Sequence, residues 1–156
     1  MDNAQTPEER LATLGIALPT PSAPAANYVP AVVSGGMLFV SGQMPMGPDG
    51  LAFAGKLGQE FDVAAGREAA RLSAVNVLAQ AKAAIGDLAR IRRVLRLTGF
   101  INGTVDFAEP HKVLDGASDF LVDVLGEPGR HSRTVLVAAN LPLNAATLID
   151  AIIGIE

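Results

Sequence analysis

A chain of 156 residues with 49% hydrophobic and only 18% charged side chains has the size of one domain, and its charge fraction lies below the usual quarter. It has no cysteine and two histidines, His111 and His131, which excludes disulfides, thiolate nucleophiles and Cys-ligated metal, and leaves no tract spaced for a protein-built metal site. A net charge of −4 argues against a nonspecific nucleic-acid binder. So small a domain has much surface to cover, and its low charge points to burial of part of that surface against copies of itself.

Residues 1–10 are polar and acidic, without the basic start and apolar stretch of a signal peptide. No apolar run reaches membrane-spanning length, so a cytoplasmic protein without membrane contact is expected. Thr6-Pro7-Glu8-Glu9 predicts a short helix with Thr6 as cap, carrying Leu11 and Leu14 on one side and ending at Gly15. The Pro-rich stretch from Leu18 to Pro24 follows as an extended strap. Residues 1–25 are therefore helix plus strap, and 26–156 form the single folded domain.

Residues 28–34 and 37–41 are rich in Val, Leu and Phe, and Gly35-Gly36 between them predicts a hairpin. Gly42 to Gly58 reads as loop. From Phe61 to Ile85 the period becomes helical, with Phe61, Ala65, Ala69, Leu72, Val75 and Ala79 on the buried stripe and Gly86 as the stop. The basic run Arg90, Arg92, Arg93 and Arg96 reads as a solvated helix end and strand start. Arg92 to Asn102 predicts a strand with Leu95, Leu97, Gly99 and Ile101 on one face. A second helix spans 108–125 and is stopped by Gly126-Glu127-Pro128-Gly129. Strands 133–139 and 145–155 close the chain.

The order is β-β-α-β-α-β-β. It predicts an α+β fold: one mixed sheet with two helices on one face and the other face covered by self-association. Two polar side chains stand in apolar strand segments, Tyr28 and Arg133. A guanidinium at the start of such a strand needs an anionic partner, and none is obvious nearby in sequence.

The segment from Tyr28 to Pro45, ending Ser41-Gly42-Gln43-Met44-Pro45, and the segment Arg133 to Pro142, ending Asn140-Leu141-Pro142, resemble the Rid family, also called YjgF or endoribonuclease L-PSP. The resemblance covers residues 26–155. It implies a chorismate-mutase-like fold assembled as a homotrimer, and hydrolysis of 2-imino or enamine acids to 2-keto acids and ammonia without cofactor. The implied substrate is a small carboxylate, which a planar guanidinium binds through paired hydrogen bonds. By match to the family, Arg133 is the catalytic carboxylate holder. Tyr28, Ser41, Asn102 and His111 are implied pocket residues, and no metal is implied.

Two departures mark a divergent subgroup. The position where deaminating members carry a water-holding Glu is Leu148, which cannot polarise water. Asp150, two residues on, shares that strand face and is a candidate substitute or an interface partner. The stretch from Leu125 to Arg130 is also longer. The alternatives are a non-catalytic ligand-binding or regulatory protein of the same fold and, disfavoured by charge and the scarcity of aromatics for base stacking, an endoribonuclease.

Overall fold

The structure is a computed structural model describing residues 5–21 and 23–156. Residues 1–4, part of the acidic start, and Ser22 of the strap lie outside the described residues. Helix α1 (Pro7–Thr13) opens the fold. Thr6 Oγ1 accepts from the Glu9 amide at 3.2 Å, and the Glu9 carboxylate accepts from the Thr6 amide at 2.8 Å, a complete capping box. Leu11 is buried, but Leu14 follows the last turn and is exposed, contrary to expectation.

Strands β1 (Ala31–Ser34) and β2 (Met37–Gln43) pair antiparallel. Their turn is Gly35-Gly36 with φ of +58° and +73°, the left-handed pair that a two-residue hairpin needs. The segment expected as loop contains a small separate hairpin, β3 (Met46–Gly47) with β4 (Gly50–Leu51).

Helix α2 (Val63–Ile85) starts where Asp62 accepts from the Ala65 amide at 2.9 Å. It is buried nearly all round from Ala69 to Ala81, because it packs on β2, on helix α3 (Pro110–Leu125) and on the strand β7 (Thr147–Ile155). The expected stripe is thus too narrow: Ala69, Val75 and Ala79 are buried, whereas Phe61, Ala65 and Leu72 are half-buried. Close packing of α2 on α3 requires Gly116, where a Cβ would come within 2.1 Å of the Arg67 carbonyl oxygen.

Strand β5 (Ile91–Asn102) carries register shifts between Ile91 and Arg93 and between Val94 and Arg96. These bulges place Val94 in the core and leave Leu95 40% exposed, correcting the expected face at its start. Beyond them, Leu97, Gly99 and Ile101 are buried as predicted. Strand β6 (Ser132–Ala138) pairs parallel to β5 through α3, while β7 lies antiparallel between β2 and β5.

The main sheet has the order β1-β2-β7-β5-β6 and is mixed, as expected. It carries α2 and α3 on one face. The short helix expected near the N-terminus is α1, and it packs on α3. Among the described residues no helix is long and apolar enough to cross a membrane.

The strict alternation of burial along β7 shows the consequence for the sheet. Thr147, Ile149, Ala151 and Ile153 face the helices; Leu148, Asp150, Ile152 and Gly154 face the opposite side. Val32, Phe39 and Leu136 are exposed at 48%, 39% and 56%, an apolar open sheet face within the single chain.

Candidate functional site

Arg133 lies second in β6, an edge strand, and its side chain turns to the helical face of the sheet toward α3. Its anionic partner is Asp115 on α3, with Nη2 2.8 Å from Oδ1. Asp115 is distant in sequence, as the lack of an obvious neighbour there required, and is adjacent through the parallel β5-α3-β6 unit. The guanidinium also donates from Nη1 to Ser118 Oγ at 3.0 Å and from Nη2 to the His111 carbonyl at 3.2 Å. Three positions of α3 thus aim one side chain, which keeps 27% of its surface exposed. Asp115 Oδ2 lies 3.7 Å from Arg67 on α2, so a second guanidinium steadies the carboxylate.

His131 lies in the turn before β6 and joins the same group. Its Nε2 is 3.0 Å from Ser118 Oγ and its Nδ1 is 2.6 Å from the Gly129 carbonyl oxygen. Burial lowers the His131 pKa below the usual imidazole value; the Gly129 carbonyl opposes this and the Arg133 charge adds to it. His111 itself contributes only its carbonyl to the cluster, and its ring is exposed.

The remaining candidates lie elsewhere. Tyr28 is 57% exposed and lines a shallow groove with Ser41, Gly42, Met44 and Gln80. Ser41 also lines the adjoining groove with Asp150, Val32, Phe39 and Ile152 on the open sheet face. The Asp150 side chain has no hydrogen bond or ion pair among the described residues. Between β2 and β6 there are three strand spacings, roughly 14 Å at about 4.8 Å each. Ser41 and Asp150 therefore face the open side of the sheet and Arg133 the helical side, while Tyr28, whose groove also takes in Gln80 of α2, stands beside β2, far across the sheet from Arg133.

Asn102 belongs to neither group. It is fully buried at the end of β5, and its amide nitrogen donates to Asn144 Oδ1 at 2.9 Å and to the Gly55 carbonyl at 3.2 Å. Its Oδ1 accepts from Lys56 Nζ at 2.7 Å, and that ammonium also donates to the Ala139 carbonyl. The side chain ties three loops together, and all its polar atoms are engaged.

Sequence reasoning missed Asp115, Ser118 and Lys56. The spacing of Asp115 and Ser118, one helical turn apart, puts both on one face of α3, but nothing local marked that face as the one opposite Arg133.

Residues 8–154 match the profile of the family described as "YjgF/chorismate_mutase-like, putative endoribonuclease". The match takes in α1 and the strap as well as the segments first noticed. The chain is 45% identical over 147 residues to Protein TCP17 of Trypanosoma cruzi, covering 94% of this chain and 92% of the relative. Among solved structures it is similar to a Shewanella oneidensis protein described as a "putative endoribonuclease", at 40% identity and TM-score 0.94, covering 97% of this chain and 100% of that one. It is also similar to E. coli TdcF with bound serine, at 27% identity and TM-score 0.61, covering 88% of this chain and 94% of that one. With its sheet order, its helices and these matches in agreement, the chain belongs to the YjgF/chorismate mutase-like family, the Rid family of its sequence motifs.

Proposed function

We propose that this protein binds a small carboxylated metabolite at a contact between copies of itself, with Arg133 holding the carboxylate, and hydrolyses 2-imino or enamine acids to the 2-keto acid and ammonia. One observation carries the reading. The Arg133 guanidinium is aimed by Ser118 and the His111 carbonyl and already holds a carboxylate, that of Asp115. A site that binds one carboxylate in this geometry suits another, which would enter by displacing or sharing Asp115. Family membership and the serine bound to TdcF, an amino acid with a free carboxylate, support the ligand class.

The copy-to-copy placement rests on the separation of the two residue groups. Arg133 of one chain cannot reach the Tyr28 and Ser41 groove of the same chain, yet a second chain laid on the open sheet face could supply it. The apolar surface of Val32, Phe39 and Leu136 gives that face a reason to be covered, and a homotrimer is the assembly the family reading supplies.

Leu148 favours a second reading, a non-catalytic binding protein. It sits on the open face packed toward Gly42, where a Cβ would lie 3.0 Å from its side chain, and it offers no proton acceptor. The endoribonuclease reading gains little from the basic run, of which, among the described residues, Arg96 alone meets no carboxyl or carbonyl oxygen and donates to Thr134 Oγ1 at 2.6 Å. Arg92 pairs with Glu156 at 3.2 Å, Arg93 pairs with Glu127 at 3.2 Å, and Arg90 donates to the Ile85 and Glu156 carbonyls.

The test is a competition assay. An amino-acid oxidase generates 2-imino acids, semicarbazide traps them, and the protein competes with the trap. Reduced trapping with wild type but not with Arg133→Ala supports hydrolysis. Calorimetry with a 2-keto acid then separates the two readings if trapping is unchanged: binding lost in Arg133→Ala leaves the binding protein, and unaltered binding removes Arg133 from the site.

A further inference from the structure

Hydrolysis at Arg133 needs a proton acceptor for the attacking water, and Leu148 stands where the family resemblance expects a Glu. The hydrogen bonds around Ser118 suggest another source. Gly129 offers His131 Nδ1 a carbonyl oxygen, which can only accept, so Nδ1 carries the ring proton. In the neutral ring Nε2 is then an acceptor, and Ser118 Oγ, 3.0 Å away, must donate to it. The lone pairs of Ser118 are left to accept from Arg133 Nη1 at 3.0 Å. The chain of bonds has a single direction, from Arg133 to Ser118 to His131 to Gly129. Among the described residues no other hydroxyl is bonded to a histidine.

We propose that His131, acting through the Ser118 hydroxyl, is the base that takes the proton of the attacking water. The inference rests on the proposed role of Arg133 as carboxylate holder. In a 2-imino acid the reacting carbon is bonded directly to the carboxylate carbon. Its base must therefore stand beside the guanidinium, and Ser118 does. The other nearby groups serve less well. Asp115 is held by Arg133 and Arg67. Asp150 faces the opposite side of the sheet in the same chain, and the His111 ring is exposed.

The step balances without a co-reactant. Water oxygen bonds to C2 of the protonated imine, and the C=N π pair moves to nitrogen. The water proton passes to Ser118 Oγ as the Ser118 proton passes to His131 Nε2. The imidazolium returns that proton by the same route to the amino nitrogen. The C–N bond then breaks with its pair on nitrogen, ammonia leaves, and the hydroxyl oxygen forms the keto group as its proton goes to the relay and on to ammonia. The sum is iminium plus water to 2-keto acid plus ammonium.

The surroundings keep the ring in the form that a base requires. The charged groups about it are Arg133 on β6, Asp115 on α3 and the Arg67 on α2 that pairs with Asp115. In the turn before it, Glu127 and Arg130 pair with each other at 3.1 Å. Burial, reinforced by the Arg133 charge and opposed by the Gly129 carbonyl, lowers its pKa, so the ring is neutral at neutral pH.

The test combines Ser118→Ala, Ser118→Thr and His131→Gln, measuring kcat and KM for imine hydrolysis from pH 5 to 8 and, by calorimetry, the Kd of an unreactive 2-keto acid. His131→Gln should lower kcat about 100-fold or more, the span expected of a general base, while carboxylate affinity holds within about threefold; Ser118→Ala, which also loses a bond that aims Arg133, should lower kcat by as much and by far more than it weakens affinity. Ser118→Thr should recover most of kcat, and the acid limb of the wild-type profile should vanish in His131→Gln. Retained kcat in Ser118→Ala, or loss of affinity matching the loss of kcat, would overturn the base role and leave Ser118 a support for Arg133. Binding without turnover in wild type also overturns it, while the carboxylate reading stands. That reading fails separately if Arg133→Ala binds the 2-keto acid as wild type does. Should His131→Gln fail to fold, the two Ser118 variants carry the test.

Discussion

Gly116→Ala should destabilise the fold although alanine is the better helix former. The added Cβ would lie 2.1 Å from the Arg67 carbonyl oxygen, 2.8 Å from its carbon and 2.9 Å from its Cα. Ordinary contacts between heavy atoms lie near 3.5 Å, so α2 and α3 must part by roughly 1 Å. Main chain cannot swing aside as a side-chain tip can. The helices are also clamped by the buried Ala69, Ala70, Ala117 and Leu121 between them and the sheet. Overpacking of this kind costs about 1–3 kcal/mol, and here the upper end applies. The gain in helix propensity returns about 1 kcal/mol. The net loss of about 2 kcal/mol corresponds to a fall in Tm of about 4–8 °C for a chain of this length. Thermal unfolding followed by circular dichroism reads it. An unchanged or raised Tm would mean that the spacing of the two helices yields freely, and the account of Gly116 as an obligatory close contact would be wrong.

Ser73 Oγ and Thr147 Oγ1 lie 2.8 Å apart and both residues are fully buried. Ser73→Ala should cost about 1–3 kcal/mol by leaving Thr147 without its partner, and adding Thr147→Val should cost less than the sum of the single changes; additive urea midpoints would deny the coupling. Asn102→Ala removes the amide that joins Gly55, Asn144 and Lys56, and should cost about 3 kcal/mol in chemical denaturation; a loss under about 1 kcal/mol would count against its role as a tie. His131 adds a pH dependence. Its folded pKa is lowered from 6.5, so the unfolded chain binds the proton first. Its contribution to stability is therefore whole above pH 6.5 and is lost as pH falls through the lowered folded value. His131→Gln should flatten the decline of Tm in that window, and identical slopes in both proteins would refute the assignment.

The fold was largely legible because its signals are local. The capping box at Thr6 and Glu9 and the Gly35-Gly36 turn are satisfied by neighbours in sequence. Leu95 was misplaced because bulges shift register without changing composition. The width of the α2 face escaped because a helix wedged between a sheet and a second helix loses its simple stripe. The site was legible by residue type and not by partner. Arg133 stood out as a charge among apolar residues, while Asp115 and Ser118 looked like any polar helix face until the β5-α3-β6 crossover set them opposite it. Asn102 illustrates the reverse: a polar residue at a strand end reads the same whether it faces a ligand or, as here, closes three loops.

The geometry of the sheet sets one further requirement on the proposed function. Arg133 points toward α3 from the edge strand, whereas Tyr28 and Ser41 line grooves at β2, three strands and roughly 14 Å away across the sheet, and Asp150 faces the open side from β7. No side chain spans that distance. If both groups serve one ligand, they must come from different chains. Two inactive variants should then repair each other: Arg133→Ala, which spoils one group, and Ser41→Leu with Tyr28→Ala, which spoils the other. After dissociation and random reassociation of an equal mixture, each site needs an intact Arg133 from one chain and an intact groove from its neighbour. Any closed ring of copies offers that combination at about one quarter of its sites. Recovery of roughly a quarter of wild-type turnover, with subunit exchange verified by native mass spectrometry, is the expected result. Exchange without recovery would place the whole site within one chain, and the groove at Tyr28 and Ser41 would then have no part in it.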